Sequence, residues 1–307
     1  MKPVKKISII GTGGVGSSLA FNVLAWLAPG ELVLVDISKG LAKGISLDLE
    51  DTRGFLNFTT RIRGGEDYSL IRNSDIVVFT AGIARKKGMT RIDLLRINSQ
   101  IAKDLSRKIK KYAPAAIVIV VTNPLDFITY LIARETKFKP QRVIGMGSSL
   151  DTSRLLNIIY KATKVPVASL EGFAYGPHSK DMIVPLQRIR VRGKQLSKVL
   201  NSKESRLIRE RTQQRGAEIL GHLKNRSANF APALSCCSLI EAIMKDANVI
   251  IPVSVYLRGE YGLNNICLGV PCIINRKGAD KIVETKLSVQ EKKELIKAAK
   301  LFKQCMN

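Results

Sequence analysis

The sequence predicts an α/β protein, an N-terminal doubly wound parallel sheet followed by an α+β unit. Three observations carry that reading. Short runs rich in Ile and Val alternate with amphipathic segments through the first half, as in strand-helix-strand units. Those runs show no polar alternation, as expected of strands covered on both faces. Near residue 147 the character changes to longer strands with more turns. Two domains are therefore expected, residues 1–146 and 147–307. With 307 residues, 45% of them hydrophobic, the chain has ample material for both cores.

The expected strands of the first unit are Val4–Ile10, Leu32–Asp36, Asp75–Ala81, Ala116–Thr122 and Arg142–Gly145. Helices are expected over Ser17–Ala28 and Asn98–Tyr112, which stop before Pro29 and Pro114, and over Asp126–Thr136, which starts after Pro124. Right-handed crossovers then give a parallel sheet. In the second unit a helix over Thr152–Lys161 precedes strands Met182–Val191, Val249–Leu257 and Leu268–Asn275. A basic helix, about Ser202–Leu220, separates the first two of these strands. The last helix, Lys286–Lys303, has Ser288 and Glu291 at capping-box spacing, with Leu295, Ile296, Ala299 and Phe302 near one face.

Composition narrows the function. Fifty Lys and Arg against 25 Asp and Glu leave a net charge of +25, a field that attracts anions, inorganic ones included. Nucleic acid is not the expected partner, because the basic residues are spread along the chain, aromatics are 6%, and no recognition motif is present. The longest apolar runs, such as Ala115–Val121, fall far short of the roughly 20 residues of a membrane span. The start, Met1-Lys2-Pro3-Val4-Lys5-Lys6, lacks a signal-peptide core, so a cytoplasmic location is expected. Five cysteines, Cys236, Cys237, Cys267, Cys272 and Cys305, match no zinc spacing. Neither a metal nor an essential disulfide is expected. Adjacent Cys236 and Cys237 read as small helix residues.

Gly11-Thr12-Gly13-Gly14-Val15-Gly16 follows a strand and opens a helix. Gly11 suits a tight turn, Gly13 a close approach to a pyrophosphate, and Gly16 close helix–strand packing, the Rossmann arrangement for dinucleotides. With Gly14 and Val15 these residues would present helix N–H groups to phosphate. Asp36 ends the second strand, 20 residues after Gly16, where it can accept hydrogen bonds from a ribose. Its charge opposes a 2′-phosphate, so NAD is the expected cofactor. A second anion-directed segment, Ala84-Arg85-Lys86-Lys87-Gly88-Met89-Thr90-Arg91, follows the strand ending near Ala81. Strand C-termini are where open α/β sheets bind ligands. Its arginines, with planar forks, suit carboxylates.

Four blocks together resemble the lactate/malate dehydrogenase family, closest to its archaeal malate dehydrogenase branch. They are the glycine motif with Asp36, Thr80-Ala81-Gly82-Ile83 through Arg91 to Asp93, Val121-Thr122-Asn123-Pro124-Leu125-Asp126, and Leu150-Asp151-Thr152-Ser153-Arg154. The resemblance covers essentially the whole chain. It implies NAD-dependent, reversible hydride transfer between (S)-malate and oxaloacetate. It also implies a homo-oligomer, most often a tetramer. Thr80, Ala81, Gly82, Asn98, Val121 and Asn123 would join the cofactor contacts. His178, in Gly176-Pro177-His178, would be the proton donor, oriented by Asp151. Arg154 would clamp the C1 carboxylate and Arg91 polarise the reacting carbonyl. Asn123 would hold a substrate oxygen. The other histidine, His222, reads as a structural or surface residue. Arg85 would pair with the second carboxylate that oxaloacetate has and pyruvate lacks. Two rival readings are a broader 2-hydroxyacid dehydrogenase that includes lactate, and an anion- or nucleic-acid-binding protein on this fold.

The sequence departs from the family after His178, where Ser179-Lys180-Asp181 replaces the usual Gly-Asp-Ser, and at Lys87, where the malate branch usually has proline. Arg85→Gln is expected to lower the oxaloacetate-to-pyruvate ratio of kcat/KM by about 10²-fold. An unchanged ratio in steady-state assays would remove Arg85 as the selector.

Overall fold

A computed structural model describes residues 4–83, 89–224 and 226–304, without the side chains of Arg91 and Ile92. Arg85 lies outside the described residues. The apolar runs become β1 (Lys6–Ile10), β2 (Glu31–Val35), β3 (Arg61–Gly65), β4 (Ile76–Phe79), β5 (Ile117–Val120) and β6 (Val143–Gly145). Between them run α1 (Gly14–Trp26), α2 (Leu41–Asp51), α3 (Arg53–Leu56), α4 (Arg91–Tyr112) and α5 (Leu125–Thr136). Every residue of β4 and β5 is buried, as their unbroken apolar sequences require.

The second half begins with α6 (Gly147–Thr163) and the two-residue strands β7 (Leu170–Glu171), β8 (Arg190–Val191) and β9 (Lys194–Gln195). It continues through α7 (Ser202–Leu223), α8 (Phe230–Met244), β10 (Val249–Arg258), β11 (Asn264–Asn275), β12 (Gly278–Ile282) and α9 (Val289–Gln304).

Among the described residues nine strands form one sheet, ordered β12-β11-β10-β6-β5-β4-β1-β2-β3. The β3-to-β6 portion is parallel throughout. Its order reverses between β1 and β4, which opens a crevice at the strand C-termini. The β10, β11 and β12 strands extend this sheet antiparallel, joined to β6 where Ser254 pairs with Gly145. Aromatic packing adds a second tie between the halves. Tyr130 of α5 stacks on Tyr256 of β10 at 5.7 Å and meets Phe302 of α9 edge-on at 5.5 Å.

Several boundaries differ from the sequence reading. Helix α4 begins at Arg91 rather than Asn98, because Thr90 and Asp93 close a capping box. The Asp93 N–H donates to Thr90 Oγ1 at 3.0 Å, and the Thr90 N–H to Asp93 Oδ2 at 3.1 Å. The expected box before α9 forms too, with the Glu291 N–H donating to Ser288 Oγ at 3.2 Å. The expected strand Met182–Val191 does not form as one element. Pro185, which has no N–H to donate, leads into a short 3₁₀ turn at Leu186–Arg188, and only Arg190–Val191 pairs as β8. The apolar patterning does not predict α2, α3, β3, β7, β9, α8 or β12. Ile296 is 38% exposed and so falls outside the buried face of α9.

Helix α2 approaches β3 closely at Gly64, where a methyl group would overlap the Ala42 carbonyl oxygen and the Ser46 hydroxyl. Gly64→Ala should therefore destabilise the fold by about 1–3 kcal/mol. Chemical denaturation checks this, and an unshifted midpoint contradicts the close approach.

Candidate active site

The crevice between β1 and β4 is built by backbone contact. Gly11 has φ +96, and a Cβ there would sit 2.7 Å from the Ala81 nitrogen. Only glycine accepts both conditions. A methyl on Gly16 would overlap the Gly11 carbonyl oxygen, so α1 starts hard against the end of β1. Gly13, by contrast, has nothing within 4 Å of the position a Cβ would take, and the nearest atom at Gly14 is Asn229 Cβ at 3.7 Å. That leaves an open cradle at a helix N-terminus, which suits a pyrophosphate. Val15, half-buried, packs back onto the core.

Asp36 stands just beyond β2. Its Oδ2 accepts from the Thr12 N–H at 2.6 Å and the Thr12 hydroxyl at 3.1 Å, and Oδ1 accepts from the Ser38 N–H at 2.9 Å. Burial alone would raise its pKa, but these hydrogen bonds outweigh burial and hold the carboxyl below its ordinary value. An anion is thus fixed where a ribose would lie.

The far wall joins the ends of β4 and β5. The Thr80 hydroxyl donates to the Gly11 carbonyl at 2.6 Å, and the Thr122 hydroxyl to the Ala81 carbonyl at 2.8 Å. Val121 is buried and donates its N–H to Phe79 at 3.0 Å. Gly82 fits between Thr122 and Asn98, with Asn98 Oδ1 3.1 Å from where a Cβ would be. Buried Asn98 is a clamp. Its Oδ1 accepts from the Ile83 N–H at 2.9 Å, and its Nδ2 donates to the Asn123 carbonyl at 2.7 Å. Asn123 itself is exposed at the crevice, joined to Pro124 by a cis peptide bond.

The titratable cluster lies where α6 meets the loop after β7. Asp151 and Arg154 project from one face of α6, with Arg154 Nη1 donating to Asp151 Oδ1 at 3.2 Å. The other carboxylate oxygen meets His178 Nδ1 at 2.8 Å. Asp151 is 1% exposed. This fixes the imidazole through Nδ1 and leaves Nε2 for chemistry. Burial works against the imidazolium, but the charge and hydrogen bond of Asp151, with the charge of Asp126, outweigh it. The His178 pKa is raised.

His178 and the segment leading to it are held from three sides. Gly176 exchanges hydrogen bonds with Gly269 of β11 at 2.7 and 2.9 Å. Gly147, at the start of α6, lies under the imidazole, 2.7 Å from ring carbon to the position of a Cβ. The His178 N–H donates to Asp126 Oδ2 at 2.8 Å. The sequence reading gave Asp126, Gly147 and Gly269 no role. Asp126 closes the Val121–Asp126 block, yet nothing in the local sequence signals its contact 52 residues away.

Burial pulls the Arg154 guanidinium pKa down, Asp151 opposes that, and Arg215 adds to the fall. Its Nε is buried with no hydrogen-bond partner among the described residues. A desolvated fork with an unused donor suits a carboxylate. Arg91 is the first residue of α4, and its side chain lies outside the described atoms. His222 is exposed on α7, as read from the sequence. Among the described residues no group of three or more His, Cys, Asp or Glu could hold a metal, and no helix is long and apolar enough to cross a membrane.

Two family models match the chain, the lactate/malate dehydrogenase NAD-binding domain over residues 5–145 and the alpha/beta C-terminal domain over 148–307. A malate dehydrogenase of Methanosarcina mazei is 44% identical over 283 residues, covering 92% of each chain. The apo malate dehydrogenase structure from Picrophilus torridus aligns with TM-score 0.94 at 34% identity, covering 98% of this chain and 96% of that one. The lactate dehydrogenase of Cryptosporidium parvum, solved with lactic acid and nicotinamide adenine dinucleotide, aligns with TM-score 0.94 at 30% identity, over 99% and 98% of the two chains.

A raised histidine pKa links stability to pH. The contribution of the His178–Asp151 pair is complete below the ordinary value of 6.5 and is lost as pH rises through the higher native value. The stability gap between the native chain and Asp151→Asn should therefore narrow with rising pH above 6.5. Denaturation midpoints across pH 6 to 9 measure it, and a constant gap rules out this linkage.

Proposed function

Because this chain belongs to the lactate/malate dehydrogenase family, we propose that it interconverts (S)-malate and oxaloacetate with NAD as cofactor. One observation supports the chemistry above the rest, the buried Asp151 that engages His178 and Arg154 together. The proposal includes a cofactor unit over residues 1–146 and a substrate unit over 147–307.

The glycine cradle fits a dinucleotide, with Gly11, Gly13, Gly14, Val15 and Gly16 at the pyrophosphate and Asp36 at the adenine ribose. Thr80, Ala81, Gly82, Asn98, Val121 and Asn123 form the wall beside the nicotinamide. Bound there, the cofactor supplies or accepts the hydride. Arg154 holds the C1 carboxylate of the substrate in bidentate fashion. That fixes the carbonyl against His178 Nε2. Arg91 polarises the carbonyl, and Asn123 holds a substrate oxygen. As the alkoxide develops, His178 gives it the Nε2 proton, and Asp151 stabilises the imidazolium beforehand. In the oxidative direction the same nitrogen takes the proton back. Arg85 pairs with the distal carboxylate. In pyruvate's presence that arginine would lack its partner, which favours the dicarboxylate.

A homotetramer is part of the proposal. Helix α1, GVGSSLAFNVLAW, has no charged residue, and α8, FAPALSCCSLIEAIM, has only Glu241. In a chain with 75 charged residues, two nearly uncharged helices stand out. Yet Trp26 is 69% exposed and Phe230 76%. Helices apolar all round are normally covered, and a second copy would cover these.

Initial rates of NADH oxidation test the assignment. Oxaloacetate should be turned over with a kcat/KM far above that of pyruvate, and NADPH should serve poorly beside Asp36. Equal rates with pyruvate favour the broader 2-hydroxyacid reading. Light scattering should give a mass of four chains, and a monomer at assay concentration would refute the assembly.

A further inference from the structure

His178 has a second carboxylate at its back. Asp126, from the first turn of α5, accepts the His178 N–H at 2.8 Å through Oδ2. Its Oδ1 is buried, and so is the Ser254 hydroxyl of β10 that faces the carboxylate. A backbone N–H needs only a neutral acceptor. Keeping a carboxylate in so dry a place is costly unless its charge has a use.

The surrounding charges suggest that use. From α6, Asp151 and Arg154 face His178, and from α5 Asp126 does so. Asp126 is in turn faced by Asp151 and His178, by Ser254, and by Cys267 of β11, whose thiol burial keeps neutral. Gly147 and Gly269, which complete the seat of the histidine, carry no charge. With His178 protonated, the four groups Asp126, Asp151, Arg154 and His178 are electrically neutral together. With His178 neutral they hold one uncompensated negative charge.

We propose that Asp126 is a positioning residue that sets the proton affinity of His178, its anion acting with Asp151 to keep the imidazolium loaded for transfer. This rests on the reading of His178 as the proton donor. Burial raises the Asp126 pKa to about 6, against the hydrogen bonds and the charge of His178, with the repulsion of Asp151 adding to the rise. The second charge is therefore present at neutral pH and disappears in mild acid. Asp151 aims the ring through its side chain, and Asp126 fixes the backbone that carries the ring. The two carboxylates thus constrain His178 from opposite ends.

Asp126→Asn separates charge from shape. The amide oxygen can still accept the His178 N–H, and the amide NH₂ can donate to the Ser254 hydroxyl. The chain has two histidines, so imidazole NMR gives two titrations, with exposed His222 as the internal reference. In Asp126→Asn the His178 titration should move down by about one pH unit, with His222 unmoved. The rate of oxaloacetate reduction should fall more at neutral and alkaline pH than in acid, with KM changing less than kcat. An unmoved His178 titration, or an equal loss of rate at every pH, would overturn the proposal.

In the native chain, with no substitution, the His178 signal should show a second inflection near pH 6 as Asp126 is protonated. His178→Asn separates this inference from the reading beneath it. Activity retained in that variant discards the proton-donor reading. Activity lost there, with His178 unmoved in Asp126→Asn, discards the role of Asp126 alone.

Discussion

The site depends on one buried carboxylate. Asp151, 1% exposed, meets His178 through one oxygen and Arg154 through the other. An unpaired anion at that depth would cost several kcal/mol. Its partners offset that cost, and in doing so each is held in one orientation. The imidazole cannot rotate without losing the hydrogen bond to Nδ1, and the guanidinium cannot swing out without abandoning the carboxylate. Electrostatic necessity therefore does the work of positioning. An imidazole and a guanidinium end up on the loop and the helix turn beside it, at a fixed separation.

Around that centre, space is controlled by what is absent. Gly11, Gly16 and Gly147 stand where any side chain would strike backbone or the histidine ring. Gly13 stands where a side chain would fill the cradle instead. The same residue type thus serves two opposite purposes, close packing at three positions and vacancy at the fourth. Both sets lie beyond the C-terminal ends of parallel strands, Gly11, Gly13 and Gly16 after β1 and Gly147 after β6.

Much of this was legible in the sequence, for identifiable reasons. The parallel strands read clearly because burial on both faces leaves an uninterrupted apolar run, as in Ile76–Phe79 and Ile117–Val120. The i,i+3 pairing of Asp151 with Arg154 read clearly because helix geometry fixes it locally. The edge strand β3, RIRGG, did not, since it has two charges and two glycines in five residues. The span Met182–Val191 misled because its apolar content resembled a strand, and Pro185 decided otherwise. Asp126 was visible as a letter in a motif, but its meaning depends on a contact 52 residues distant. Local pattern has no access to that.

The unbroken sheet has a mechanical corollary. The β6–β10 pairing and the Tyr130–Tyr256–Phe302 cluster bind the two halves across their boundary. Swinging one half away from the other would tear backbone pairing at Gly145 and Ser254 and expose stacked aromatic rings. The molecule is a single girder and cannot open like a clam. Traffic of small molecules into the crevice must then be governed by the connections that fringe the strand ends. For the same reason, neither half severed from the other keeps a finished edge. Cut between β6 and α6, each fragment would present a raw hydrogen-bonding margin to solvent.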